Sequence, residues 1–315
     1  MPGNKPTNST KTFNLNTGAT IPAVGLGTWQ SDKKSVVAAV KEALKLGYRH
    51  IDTAAIYENE DAIGQAIKES GVPREQIFLT SKLWSNSHRP EDVEKALDKS
   101  LELLQTGYLD LYLIHWPVAL RNDDGLFPKD KYGHGKEDPT HPSYIDTWHA
   151  LEDLYKKTTK VRQIGIANFT VGQLKILLKH STVVPAVHQI ECHPYQTQAE
   201  LRKLAKDRNI HVTAYSPFGN LNPIYSRTIG VELEDPVIVN AAEKYGVTPN
   251  QLAVSWQVAL GNSVIPKSVH KERIEENFKI VNLDIEDVFS LSKLNRDHTY
   301  NSIIETFGDR FAPKE

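Results

Sequence analysis

Four residues of this chain are of types that together can protonate a carbonyl oxygen: Asp52, Tyr57, Lys82 and His115. A phenol is a weak acid with a pKa of about 10, and an ammonium beside it favours the phenolate. Lys82 is therefore expected to lower the pKa of Tyr57. Asp52 would pair with Lys82 and hold it in place, and His115 can orient and polarise a carbonyl oxygen. An isolated Asp–Lys pair is more often an internal salt bridge than catalytic machinery. Position changes that reading. Asp52, Lys82 and His115 stand near the ends of three apolar runs, 48–54, 77–83 and 109–116, and Tyr57 follows the first of them. Polar groups ending successive apolar strands are costly to bury unless they face a site or pair with one another.

Those runs belong to a longer alternation. Strand-like segments rich in Val, Ile, Leu and Tyr fall at 23–29, 48–54, 77–83, 109–116, 163–168, 187–192, 211–216 and 263–267. Helical periodicity fills 31–46, 59–70, 90–104, 144–157, 170–180, 198–207 and the pair 235–245 and 248–260. Repeated β-α alternation means a parallel sheet. Eight units suit a closed barrel, whereas a doubly wound dinucleotide fold would want a third glycine after Gly25-Leu26-Gly27, and none follows at that spacing. The predicted fold class is α/β, a (β/α)8 TIM barrel over 1–315 as one domain, with an N-terminal β-hairpin around Asn16-Thr17-Gly18 and long active-site loops. The loops are 118–142, 217–234 and the C-terminal stretch 295–315, which is predicted to form a substrate loop. Each follows the last residues of a strand or the final helix, and because catalytic loops of a barrel gather at the carboxyl ends of strands they are expected to wall the substrate site. Residues 1–10 are predicted to be a flexible tail.

Composition narrows the function classes. Of 315 residues, 39% are hydrophobic and 24% charged, enough apolar surface for a full core. The net charge of −2 comes from mixed signs, so neither nucleic acid nor a membrane surface is an expected partner. A small, weakly charged ligand is. The only cysteine, Cys192, excludes an internal disulfide and a multi-cysteine metal site, and the cytosol is the expected compartment. The start of the chain lacks the apolar core of a signal peptide, and no apolar run reaches membrane-spanning length. Cys192 is read as a buried thiol. His50 shares a strand face with Asp52 and is read as a hydrogen-bonded core histidine. The rival arrangement, a metal-dependent barrel hydrolase, would take His50, Asp52 and His193 as ligands; no metal is expected.

Over nearly its full length the sequence resembles the aldo-keto reductase family, on Tyr48-Arg49-His50-Ile51-Asp52-Thr53-Ala54, Ser81-Lys82-Leu83-Trp84, Leu113-Ile114-His115-Trp116-Pro117 and Ile265-Pro266-Lys267-Ser268. The resemblance implies reduction of aldehydes or ketones to alcohols, with Asp52, Tyr57, Lys82 and His115 as catalytic tetrad and Tyr57 as general acid. It implies an NADPH/NADP+ cofactor lying across the barrel mouth without a dinucleotide-binding domain. Asn168 and Gln189 would bond the nicotinamide carboxamide, and Tyr215 would stack on its ring. Gly27, Thr28, Trp29, Ser216 and Leu221 would lie along the cofactor. Lys267, Ser268, Val269, Arg273, Glu276 and Asn277 would hold its far end, where Lys267 and Arg273 can pair a ribose 2′-phosphate. The substrate wall would be Trp29, Tyr57, Trp84, His115 and Trp116, an aromatic pocket suited to apolar or flat small-molecule carbonyl compounds. A monomer or weak dimer is expected.

The sequence departs from the family pattern at Ala167, where many members carry a serine before Asn168, and at His188, where Asn is usual. Asn222 stands where relatives often place a carboxylate over the pyrophosphate, and the C-terminal stretch lacks the common tryptophan.

Overall fold

The apolar runs pair side by side in chain order. In the computed structural model, which describes residues 5–122, 125–140, 142–219 and 232–312, eight parallel strands follow one another around a barrel. Ahead of them lie β1 (Thr7–Asn8), β2 (Thr12–Asn14) and β3 (Thr20–Pro22). The barrel strands are β4 (Leu26–Gly27), β5 (His50–Asp52), β6 (Phe78–Leu83), β7 (Leu111–Ile114), β8 (Ile164–Ala167), β9 (Val187–Glu191), β10 (His211–Tyr215) and β11 (Ser263–Val264); β12 (Lys279–Ile280) comes after. The ring closes through parallel bridges Val24–Val264 and Gly27–Lys267. Several strands are shorter than predicted, because residues such as Val24 are extended but bridge singly rather than in a continuous ladder.

Helices occupy the predicted intervals: α1 (Lys33–Leu46), α2 (Glu60–Ser70), α3 (Pro90–Leu103), α4 (Tyr144–Lys157), α5 (Val171–His180), α6 (Ala199–Asp207), α7 (Pro236–Tyr245) and α8 (Pro249–Ala259). Their starts follow from local chemistry. Asp32 accepts from the Ser35 amide at 2.9 Å, and capping boxes at Ser143/Asp146, Thr170/Gln173 and Thr248/Gln251 satisfy end amides that would otherwise lack partners. Three further helices, α9 (Lys271–Phe278), α10 (Ile285–Ser292) and α11 (Ile303–Phe307), were not predicted as such. They are short, of 8, 8 and 5 residues, and follow the last barrel strand, outside the β-α alternation.

β2 and β3 form the predicted hairpin. Ile21 of β3 and Leu15 in the hairpin's turn region pack on Phe78, Leu111 and Val187, which begin three barrel strands, so the hairpin covers the barrel's amino-terminal end. The predicted tail requires correction. Residues 5–10 include β1, which pairs antiparallel with β12, and Ser9 donates its amide to the Phe278 carbonyl at 2.9 Å. Polar side chains hide such a strand, since its pairing is made by backbone alone. At Gly25 the barrel interior leaves no room for a side chain: a Cβ would stand 2.7 Å from the His50 ring. His50 is fully buried there, with Nε2 3.4 Å from Thr80 Oγ1 and its ring against Phe78.

Candidate active site

The predicted catalytic groups meet at the carboxyl ends of β5, β6 and β7. Lys82 has no exposed surface, yet it carries an ammonium. Its Nζ donates to Asp52 Oδ1 at 2.5 Å and to the Thr53 carbonyl at 2.8 Å. Burial drives the Lys82 pKa down, but Asp52 and Tyr57 more than offset this and the net direction is up, so the ammonium persists. Asp52 is held on its other oxygen as well, accepting from Gln189 Nε2 at 2.7 Å. A buried ion pair is tolerable when its remaining lone pairs and protons are satisfied in this way.

Tyr57 lies in the short 3-10 turn Ala55–Tyr57 beyond β5. The residue is partly exposed, its ring centroid lies 5.2 Å from Lys82 Nζ, and its hydroxyl is hydrogen-bonded to that ammonium. The expectation of a depressed phenol pKa is not met. Burial raises it and outweighs Lys82, whose charge and hydrogen bond pull it down, while Asp52 pushes it up again. The physical reason is first that burial disfavours the charged phenolate, and second that Asp52 offsets part of the charge Lys82 presents to the phenol. His115 closes the group, its ring edge-on to Tyr57 at 5.7 Å and to Trp84 at 5.2 Å. Burial, then Lys82, holds His115 well below the usual imidazole range, so it is neutral. Its Nδ1 is enclosed without a partner, which leaves Nε2 to face the pocket.

These groups floor one cavity of about 810 Å³, lined by Asp52, Tyr57 and His115 and extending to Lys267 and Arg273. Lys82 lies beneath the floor rather than on it. Gly27, Thr28, Trp29, Asn168, Gln189, Tyr215, Ser216, Ser268, Glu276 and Asn277 also line the cavity, as does Trp84 with Trp116. Val269 does not; it packs against the core. Leu221 and Asn222 lie outside the described residues. Gly27 lets the exits of β4 and β11 lie close together, since a Cβ there would stand 2.7 Å from the Ile265 carbonyl oxygen.

Strand-end residues reach the groove through unusual backbone. Asn168 and Ser216, at the exits of β8 and β10, have φ of 63° and 48°, a left-handed conformation that non-glycine residues adopt seldom and mostly where function holds them. Asn168 Nδ2 donates to the His115 carbonyl at 2.9 Å and its Oδ1 accepts from the Tyr215 hydroxyl at 2.7 Å. Each amide atom retains capacity for a second bond, as does the Gln189 amide beyond its link to Asp52. Ala167 is buried and offers no hydroxyl. His188 points away from the groove, where its Nε2 accepts the Phe169 amide at 3.2 Å.

The groove fits a nicotinamide dinucleotide phosphate in its polar inventory. Asn168, Gln189 and Tyr215 offer a flat amide-binding end, and the opposite end offers cations. Among the described residues Arg273 has no ion-pair partner, although it lines the cavity beside Ser268 at the start of α9. An arginine left without a counter-charge in a groove is ready for an anion.

Several individual residues of the site were not named from the sequence, although the predicted loops 118–142 and 295–315 do supply part of its lining. Asn59 is 1% exposed and donates to the carbonyls of Thr28 and Ser31 at 3.0 Å, tying the loop after β4 to the one after β5. Its only signal was a place just before α2. Asn301 and Thr306, from the C-terminal stretch, and Phe127, from the 118–142 loop, line the cavity too. There Phe307 packs against Phe127, Trp84 and Trp116, with ring centroids 5.6, 5.9 and 5.5 Å away. Trp84 and Trp116 thus serve both pocket and packing, and Trp84 Nε1 donates to the Leu126 carbonyl at 2.5 Å. Cys192 is buried and its thiol is pushed up to about 11 by burial.

Comparison with known proteins agrees with this geometry. The model of the aldo/keto reductase family matches residues 23–296. An uncharacterized oxidoreductase of Schizosaccharomyces pombe is 48% identical, over 92% of this chain and 90% of its own. The glycerol 2-dehydrogenase (NADP(+)) of Saccharomyces cerevisiae is 46% identical, over 92% of each chain. Among solved structures, the aldose reductase from Schistosoma japonicum superposes with a TM-score of 0.88 at 37% identity, covering 96% of this chain and 98% of its own.

Proposed function

This chain belongs to the aldo/keto reductase family of oxidoreductases, and from that premise we propose that it reduces aldehydes and ketones to alcohols with NADPH, Tyr57 supplying the proton. The observation that carries the reading is the buried Asp52–Lys82 pair under the Tyr57 hydroxyl, on the floor of a cavity that also holds Arg273. The cofactor, when bound, supplies a hydride to the carbonyl carbon. Everything else in the reaction is done by the protein. His115, neutral and open at Nε2, donates a hydrogen bond to the carbonyl oxygen and fixes it beside Tyr57. Negative charge gathers on that oxygen as reduction proceeds, and the Tyr57 hydroxyl transfers its proton to it. The phenolate that remains is stabilised by the Lys82 ammonium, which Asp52 and the Thr53 carbonyl hold in place. Asp52 is therefore a positioning residue, reaching the chemistry through Lys82.

Lys267 and Arg273 favour NADPH over NADH by pairing the 2′-phosphate, and Asn168 and Gln189 orient the carboxamide. Trp29, Trp84 and Trp116 exclude water from the carbonyl and set a preference for compounds with an apolar body. The enzyme acts on small molecules in the cytosol, where a lone buried thiol stays reduced, as a monomer or weak dimer. A panel of aldehydes and ketones, followed by the loss of NADPH absorbance, tests the activity. Tyr57→Phe keeps the ring and removes the proton; turnover should fall at least roughly a hundredfold with NADPH affinity nearly unchanged. Near wild-type reduction by that variant would refute the mechanism.

A further inference from the structure

Behind the pocket wall, at the end of β9, lies a second buried charged unit that the reaction does not use. His193 has no exposed surface and stands between two buried carboxylates: Nε2 is 2.9 Å from Glu191 Oε1, and Nδ1 is 2.8 Å from Glu232 Oε2. Glu191 reaches further. Its Oε1 accepts the Tyr300 amide at 2.8 Å, and its Oε2 accepts the Asn301 amide at 2.8 Å and the Asn301 side-chain Nδ2 at 2.9 Å. The His193 ring lies 5.3 Å from the ring of Tyr300. On the other side Glu232 presses on Gly219, where a Cβ would stand 2.2 Å from Glu232 Oε2. Asn301 and Gly219 both line the active-site cavity.

We infer that Glu191, His193 and Glu232 form a positioning triad that holds the C-terminal wall of the substrate pocket, Asn301 above all, in register with the groove. An apolar cluster would bury the same volume at lower electrostatic cost, but it could not grip backbone amides in a chosen direction. The stretch from Asn295 onward has few long apolar side chains before Ile303 to seat it. Directional bonds to one carboxylate supply the order instead. The triad touches neither the tetrad nor the cations of the groove, so it acts on how well a substrate is bound and leaves the chemical step alone.

The substrate arm of the test rests on the reductase reading; a second arm does not. Glu191→Gln preserves size and removes the charge. With the folded variant, the KM for a good carbonyl substrate should rise roughly tenfold while kcat stays within about twofold, as expected when binding common to ground and transition state is lost. Amide exchange over residues 295–307, measured without substrate or cofactor, should quicken. If the wild-type enzyme reduced no carbonyl compound, the reductase reading would fall while the exchange arm still judged the triad. Unchanged KM together with unchanged exchange would overturn the triad itself. Should Glu191→Gln not fold, Glu191→Asp keeps the buried charge and shortens its reach to the Tyr300 and Asn301 amides. Quickened exchange over residues 295–307 would then support the inference, and wild-type exchange would overturn it.

Discussion

Tyr57 is asked to be an acid in the very place where burial makes it a poorer one. Its phenol stands above the ordinary range, with burial the main cause, and the Lys82 ammonium only partly reverses this because Asp52 shares that charge. The consequence concerns pH. The proton is present throughout the neutral range, and His115 is uncharged there because burial holds it down. The maximal rate of reduction should therefore be flat from about pH 6 to pH 9 and decline only on the alkaline side of the ordinary phenol value of about 10. A pH profile of kcat with a good substrate checks this, and a decline centred near neutrality would contradict it. At the other end of the groove, Arg273→Ala removes a charge-assisted contact worth on the order of 1.5–3 kcal/mol. NADPH affinity should weaken roughly ten- to a hundredfold and NADH affinity barely at all. Equal losses for both would show that Arg273 does not read the 2′-phosphate.

Elements earn their precision from close contacts more than from their own propensity. α2 carries Glu60 and Asn59 at its start, and it can lie against the end of α3 because position 64 is glycine. A Cβ at Gly64 would stand 2.6 Å from the Leu104 carbonyl carbon and 2.7 Å from the Leu103 oxygen, backbone atoms that cannot turn aside. Gly64→Ala should raise helix propensity yet destabilise, by about 1–3 kcal/mol, through this overpacking. Thermal unfolding measures the loss. A variant as stable as the parent would show that α3 shifts freely. Glu60 makes the same contact informative for function, since its buried carboxylate accepts from Ser81 at 2.6 Å and Ser100 at 3.0 Å, bracing the strand that carries Lys82.

At the scale of the whole molecule, the late segments are joined to the barrel through buried charge. His193 is raised from 6.5 to about 9: burial opposes the imidazolium, but Glu191 and Glu232 overcome it. A group raised on folding stabilises fully below its unfolded value, and that contribution is lost as pH climbs through the folded one. Glu191 is shifted the opposite way, down despite burial because His193 and the amides of the C-terminal stretch hold its charge, so its contribution fades on acidification. Tyr300 and Tyr195, packed nearby, are held above the phenol range chiefly by burial and stay neutral in this window, while Asp235 and Arg296 pair with each other. The melting temperature should therefore decline between about pH 6.5 and pH 9, by an amount that His193→Gln flattens. Identical slopes in parent and variant would place the alkaline loss elsewhere.

The sequence alone determined the eight-fold alternation, the helix starts and the strand-end positions of Asp52, Lys82 and His115, because periodicity and capping are local and a barrel puts strand ends together. It also carried the motif from which the resemblance followed. Tertiary structure decided what depends on distance in three dimensions rather than along the chain. The net charge felt by Tyr57 emerged only once Asp52 and Lys82 were in contact. β1 found its partner more than 270 residues away in β12 by backbone pairing that polar side chains do not advertise. Asn301, Thr306 and Phe127 entered the pocket because Glu191 and a cluster around Phe307 hold their segments there. Such holds couple residues with no periodic relation, so no local pattern can announce them.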